Sequence, residues 1–279
     1  MAPMIDTAGH TLTDIAAFYN RLAPDYDAMT GFEKRFVQER PFFRLLVERN
    51  GIRSALDAGS GTGFHALLLA QLGVDVTAVD VSREMMDRLS AHAHAMDLRV
   101  RPVIATFQDL REHVRGPFDA VFCLGNSLPH LLTEGDLRRS LKNFHAVLRP
   151  GGMLLLQLLN YDRIMSSRTR VQNVRETDGA TYVRMYDYEQ SGDLIQFNLL
   201  RLEKQGSDAG QTHLAVPLRA LRSAGLAETL RHSGFTGIRL FGGISMDAYD
   251  ASTSRDLVVM STREEEGDTS APTPLKEHA

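Results

Sequence analysis

An α/β fold with a seven-stranded, mostly parallel sheet and helices on both faces is predicted by three observations. From residue 54 onward, short apolar runs alternate with segments of helical spacing, the pattern of strand–helix–strand crossovers. The runs show no strict in–out alternation, as expected of strands buried on both faces. Two more runs, "GIRLFGG" and "RDLVVMST", follow the last helical segment and bring the strand count to seven.

The elements follow in order. Residues 1–50 read as a helical cap. Thr13 can cap a helix through "DIAAFYNRL", which Pro24 should break, and "FEKRFVQERPFFRLLVERNG" is a second helix stopping at Gly51. The core spans 51–162. Its first strand, "SALDA", turns through glycines into the helix "FHALLLAQLG", which ends at Gly73, and "VTAVD" is the second strand. Ser82 caps the next helix, with Glu84 in its first turn where the dipole favours an anion. "RVRPVIAT", "FDAVFCLG" and "GMLLLQLLN" supply strands three to five, and "EGDLRRSLKNFHAVLRPGG" is a helix closed by Pro-Gly-Gly.

The rhythm changes after Tyr161. Residues 163–217 read as a small antiparallel β insertion after the fifth strand, a lid or substrate cover; the run from "ATYVRMYDY" to "HLAVPL" carries no helical period and has turns at "SGD" and "GSDAG". Tyr182, Arg184, Tyr186 and Tyr188 are spaced by two and share one strand face. That face either covers a site or forms an outer surface, where a strand arginine is solvated. Residues 218–262 return to the core through the helix "RALRSAGLAETLRHSGF" and the two closing strands, and the polar stretch 263–279 reads as a disordered tail.

Composition narrows the function. The chain has 279 residues, 43% hydrophobic and 24% charged, ordinary for a globular domain. A net charge of −4 offers no electrostatic basis for gripping a nucleic-acid backbone. The longest apolar runs, such as "MLLLQLL", are too short to span a bilayer. No basic segment followed by an apolar stretch opens the chain, and the lone Cys123 can form neither an intrachain disulfide nor a cysteine-pair metal site. A cytoplasmic protein without a metal is expected, with Cys123 a buried, inert thiol and a homo-oligomer possible. His92 and His94 lie on a helix expected to be exposed and carry no assigned role.

The chemistry sits in "SALDAGSGTGFHALLLAQLGVDVTAVDVS", residues 54–82. Glycines at 59, 61 and 63 let the backbone turn tightly against a ligand, and the following helix points free N–H groups at it. Asp80 closes the second strand, where a carboxylate accepts the two hydroxyls of an adenosine ribose. Dinucleotides and S-adenosylmethionine both use such a site. The spacing is GxGxG, with Phe64 where a dinucleotide loop needs a glycine or alanine. Asp57 precedes the first glycine by two residues; it would repel a pyrophosphate but suits the ammonium of the methionine moiety.

With this Rossmann-like alternation, "ALDAGSGTG" resembles the first motif of class I methyltransferases, and "LRPGGMLLL" resembles their lead-in to the fifth strand. "VFCLGNSLPHL", "LKNFHAVLRPGG" and "NYDRI" are similar to the glycine and glycine/sarcosine N-methyltransferase family, closely over 54–165 and loosely elsewhere. "FYNRLAPDYDAM" resembles the N-terminal aromatic segment of many small-molecule methyltransferases and puts Tyr19 beside the cofactor. The resemblance implies S-adenosylmethionine as cofactor, with Asp57, Gly59 and Gly61 at its methionine part, Asp80 at the ribose, Thr106 and Phe107 at the adenine, and Leu124 giving backbone contacts. Phe107 reads equally as a core aromatic. The reaction chamber is implied to hold Asn126, Ser127, His130 and Tyr161, with His130 either a general base or an orienting group.

One departure bears on the substrate. Glycine-methylating members have His-Arg before the Asn-Tyr, the arginine holding the substrate carboxylate; here Leu158 and Leu159 stand there. A leucine cannot clamp a carboxylate. The expected reaction is therefore methyl transfer to a nitrogen or oxygen of a small molecule other than glycine, less charged or more apolar. O- or C-methylation of another metabolite, a non-catalytic S-adenosylmethionine-binding protein and, more distantly, an NAD-dependent oxidoreductase stay open on these grounds.

Overall fold

The computed structural model describes residues 12–190, 192–204 and 210–264. Helices α1 (Leu12–Thr30) and α2 (Phe32–Asn50) open the chain, and Gly51 ends α2 in the left-handed conformation that an L side chain resists. Strand and helix then alternate: β1 (Ser54–Ala58), α3 (Phe64–Gln71), β2 (Asp75–Asp80), α4 (Arg83–Ala95), β3 (Val100–Ile104), the single turn α5 (Leu110–His113), β4 (Phe118–Cys123), α6 (Glu134–Val147) and β5 (Leu148–Leu159). A short helix, α7 (Tyr161–Ser167), leads to β6 (Val171–Glu176), β7 (Ala180–Tyr188), β8 (Leu194–Glu203) and β9 (Gln211–Arg219). The chain closes with α8 (Ser223–His232), β10 (Phe235–Phe241) and β11 (Asp256–Arg263).

The large sheet runs β10-β11-β5-β4-β1-β2-β3. Strands β1 to β5 pair in parallel, and β11 lies antiparallel to both β5 and β10. Strand order reverses between β1 and β4, and the crevice beyond the strand ends at such a switch point is where open α/β sheets bind ligands. Alternate residues of each strand feed two cores. Leu56 and Val121 join α6 and α8 on one face, while Ala55 and Phe122 join α2 and α3 on the other. Leu67, Leu68 and Leu69 of α3 are fully buried, worth about 2 kcal/mol each.

The second sheet is an antiparallel meander, β6-β7-β8-β9. It packs on α1, whose Ile15, Phe18, Leu22 and Met29 form a third core with Tyr182, Leu199, Leu214 and Val216. The face carrying Tyr182 and Tyr186 is therefore turned inward. Among the described residues no helix is long and apolar enough to cross a membrane.

Several expectations need correction. Pro24 does not break α1, which runs on to Thr30, and Thr13 lies inside that helix rather than before it. Pro24 removes one backbone donor from the helix, but Phe18, Leu22, Ala23 and Met29 on either side of it are buried and hold the helix through the break. Helix α6 ends at Val147, and Pro150, Gly151 and Gly152 belong to β5. Helices α5 and α7 were not expected, and α7 occupies the start of the stretch read as β; "VQNVRE" falls within the expected insertion but, as an edge strand with mostly exposed residues, lacks a core-facing signal of its own. The expected tail lies outside the described residues beyond Glu264.

Candidate active site

The floor of the site is the turn after β1. Gly59 (φ 76°), Gly61 (φ 55°) and Gly63 (φ 93°) all take left-handed conformations, which cost an L residue about 1–2 kcal/mol. The N–H groups of Gly59 and Ser60 donate to the Val79 carbonyl at 2.8 and 3.0 Å, fixing the turn on β2. A Cβ on Gly59 would sit 2.5 Å from Ser127 Oγ and 3.2 Å from the Phe107 ring, and one on Gly61 would sit 3.6 Å from the Tyr26 ring. Gly63 serves packing instead: a Cβ there would lie 2.6 Å from Leu89 Cγ of α4.

Two carboxylates frame this turn. Asp57 is buried at the end of β1, and its Oδ2 has no hydrogen-bond partner. Burial pushes its pKa up to about 6, with His65 opposing and Asp80 adding to the rise. Asp80 accepts from Gly61 N–H at Oδ2 and from Ser82 N–H at Oδ1, both at 2.9 Å. Burial holds its pKa above the usual carboxylate range against those bonds. Asp80 lines the open cavity, whereas Asp57 is buried and does not.

The wall comes from the loops after β3 and β4. Thr106, Phe107 and Gln108 line the cavity. Thr106 Oγ1 donates to Asp109 Oδ2 at 3.0 Å, and Asn143 Nδ2 donates to the carbonyls of Phe107 (2.9 Å) and Gln108 (2.8 Å). Phe107 also stands edge-on to the buried Phe144 at 5.3 Å, so it belongs to core and cavity at once. After β4, Gly125 (φ 72°) and Asn126 (φ 71°) are consecutive left-handed residues, a conformation asparagine tolerates better than most. This turn is pinned by β5: Gly125 N–H donates to Gln157 Oε1 at 2.7 Å, and Leu159 N–H to Asn126 Oδ1 at 3.0 Å.

The roof is α1. Tyr19 Oη lies 2.8 Å from His130 Nε2, their rings edge to face. Burial lowers the His130 pKa to about 4 and raises that of Tyr19 well above 10. The imidazole is therefore neutral near pH 7. With its proton on Nδ1, which faces the Pro217 carbonyl without a hydrogen bond of good geometry, Nε2 accepts from Tyr19. Asn20 Oδ1 accepts from Ser82 Oγ at 2.6 Å, and Asp27 accepts from Thr62 Oγ1 at 2.6 Å. His92 does more than its expected exposure suggests: it bridges Asp27 Oδ2 (3.2 Å) and the Thr62 carbonyl (3.1 Å), tying α4 to the roof and the floor.

The structure thus brings Tyr19, Gly59, Gly61, Asp80, Thr106, Phe107 and His130 around one cavity. Asn126 and Tyr161 stand behind it as a pair, Asn126 Nδ2 donating to Tyr161 Oη at 3.0 Å, with Tyr161 fully buried. Leu124 is in the core, its carbonyl accepting from Ser127 Oγ at 3.0 Å. Tyr26, Gln108 and Gly125 line the cavity but were not singled out from sequence. Tyr26 was findable, because it follows Tyr19 by seven residues, two turns along one helix face, a relation hidden by reading Pro24 as a break. Arg184, read from sequence as either another cation for the site or a solvated strand arginine, is partly buried on the inward face of β7.

These residues fit S-adenosylmethionine. Asp57 leaves a buried carboxylate oxygen unsatisfied two residues before a turn whose first glycine has no room for a Cβ, and Asp80 lines the cavity. Sheet order, glycine turn and paired aspartates together define a class I S-adenosylmethionine-dependent methyltransferase. The family described as "Methyltransferase domain" matches residues 55–152. A glycine/sarcosine N-methyltransferase of Parasynechococcus marenigrum is 34% identical over 222 residues, 80% of this chain and 77% of that protein. The crystal structure of an S-adenosylmethionine-dependent methyltransferase from Clostridium acetobutylicum shares the fold with a TM-score of 0.75 at 18% identity, over 88% of this chain and 99% of that one. The CcbJ methyltransferase from Streptomyces caelestis superposes with a TM-score of 0.68 at 25% identity, over 81% and 90% of the two chains. The chain belongs to the S-adenosylmethionine-dependent methyltransferase family that includes the glycine/sarcosine N-methyltransferases, and S-adenosylmethionine is its cofactor.

Proposed function

We propose that the chain methylates an amine nitrogen of a small molecule other than glycine. The observation that carries this reading is that His130 is a poor base: burial lowers its pKa to about 4, and its Nε2 is already engaged by Tyr19 Oη at 2.8 Å. A hydroxyl acceptor needs a base to remove its proton, whereas a neutral amine attacks with its own lone pair and loses the proton afterwards. S-adenosylmethionine supplies a methyl activated by its sulfonium, so the protein's task is alignment and the exclusion of water. Asp57 would hold the cofactor's ammonium, Asp80 the ribose hydroxyls, the Gly59–Gly61 backbone the methionine part, and Thr106 and Phe107 the adenine, with Leu124 offering its backbone. The Tyr19–His130 pair orients the acceptor from above, and the Asn126–Tyr161 pair holds the β4 turn beneath it.

The exclusion of glycine rests on Leu158 and Leu159. Leu158 is fully buried in the core, and Leu159 packs half-buried against it, so the end of β5 offers an acceptor no cation. The single free cysteine and the net charge of −4 support a small-molecule enzyme of the reducing cytoplasm.

The test is methyl transfer from labelled cofactor to matched amines, phenols and carboxylic acids. Amines should be labelled and glycine should not; labelling of phenols alone would overturn the nitrogen assignment. Titration with S-adenosylhomocysteine and NAD accompanies it, and only the former should bind.

A further inference from the structure

The cover carries a cation that the reaction as described does not use. Arg184 lies on β7 between Tyr182 and Tyr186, all three on the face turned toward α1. That face is anchored by Tyr182 Oη, which donates to Asp25 Oδ1 at 3.0 Å. Among the described residues no carboxylate pairs with Arg184, and its electrostatic neighbours are the hydroxyls of Tyr19, Tyr26 and Tyr186 and the like charge of Arg175. Burial raises the pKa of all three tyrosines, so none supplies a counter-charge near pH 7.

The acids on the facing elements are engaged elsewhere. Asp25 is held by Tyr182 and Arg201, and Asp27 by Thr62 and His92. Asp80 is bonded to the N–H groups of Gly61 and Ser82. Tyr19 and Tyr26 line the cavity and feel Asp80 as well as Arg184. Arg184 does not itself line the cavity; it interacts electrostatically with Tyr19 and Tyr26, which do. A partly buried guanidinium without a counter-ion is costly, and its planar fork matches a carboxylate.

Resting on the methyltransferase reading above, we infer that Arg184 is a specificity-determining residue that anchors a carboxylate on the methyl acceptor, remote from the nitrogen that is methylated. The acceptor class is thus an amine that also carries an acid, larger than glycine because the anchor is on the cover rather than at the end of β5. This replaces the sequence-based expectation of a less charged acceptor.

The experiment uses the full chain saturated with S-adenosylhomocysteine and titrates two acids, acetate and benzoate, against their neutral isosteres acetamide and benzamide. The wild type should bind at least one acid about tenfold or more tightly than its amide. Arg184→Met should abolish that preference, Arg184→Lys should restore part of it, and S-adenosylhomocysteine affinity should stay within about twofold in both. Equal binding of acids and amides by the wild type overturns the inference, as does a preference that survives Arg184→Met. A loss of S-adenosylhomocysteine affinity matching the loss of acid binding also overturns it, by assigning Arg184 to the cofactor's own carboxylate. If Arg184→Met does not fold, the wild-type selectivity and Arg184→Lys decide. Failure of the methyltransferase reading is distinguishable, because the wild type would then not bind S-adenosylhomocysteine at all.

Discussion

A buried carboxylate with an unsatisfied oxygen, as Asp57 is, costs the ligand-free protein stability. Its pKa of about 6 in the folded chain stands above the ordinary 3.8, so the unfolded chain gives up that proton first as pH rises. The associated stability is fully present below pH 3.8 and is lost as pH climbs through about 6, a difference of about 3 kcal/mol. Asp57→Asn should therefore raise the melting temperature of the ligand-free protein at pH 8, while weakening S-adenosylmethionine at least tenfold by calorimetry. In the wild type, if Asp57 holds the ammonium as proposed, cofactor affinity should rise with pH through about 6 as its carboxylate ionises. Gly59→Ala should lower stability by about 1–3 kcal/mol through its left-handed φ and its clash with Ser127. Ser127→Gly added to it should recover part of the loss in a denaturant melt, which the φ term alone would not allow. The motif made the positions of Gly59 and Asp80 at the cavity legible, because the glycine turn and the end of the neighbouring strand β2 meet at one edge of the sheet; the burial of Asp57 away from the cavity was not. The environment of Arg184 was not legible, since it depends on what packs against a strand face.

Helix α1 shows how an element can outweigh a local penalty. A proline inside a helix costs about 3 kcal/mol, yet α1 spans Pro24 because tertiary contacts hold both of its halves. Tyr19 meets His130 and Asn20 meets Ser82 before the proline; Asp27 meets Thr62 and His92 after it. Tyr19→Phe removes one such bond, worth about 1 kcal/mol net, and leaves His130 Nε2 unsatisfied in the roof. Melting should change by only a few degrees, while kcat/KM falls about tenfold with KM for the cofactor little altered. Unchanged kinetics would make the pair purely structural. Strand β6 illustrates the opposite limit of sequence reading: an edge strand with mostly exposed residues carries no periodicity to detect.

For the molecule as a whole, the alternation of strand and helix announced the seven-stranded sheet because each strand is buried by its immediate neighbours in sequence. The seating of the small sheet on α1 was not announced, because it joins residues near 20 to residues near 200. Ligand binding should stabilise the native state by about 2.7 kcal/mol at a hundredfold excess over Kd. Hydrogen exchange should then slow in α1, the glycine turn and β7, and hardly change in β1 and β4. Cys123, whose thiol burial pushes well up, should react with a thiol reagent only on global unfolding. The division of labour also has a genetic consequence. The glycine turn and its flanking strands are a continuous stretch of chain, but the third core joins α1 to β7–β9, two segments separated by β1 to β5. A chimera that takes β6–β9 from a relative without its α1 would mismatch that third core. Transplanting acceptor preference between relatives requires the two pieces to be inherited together.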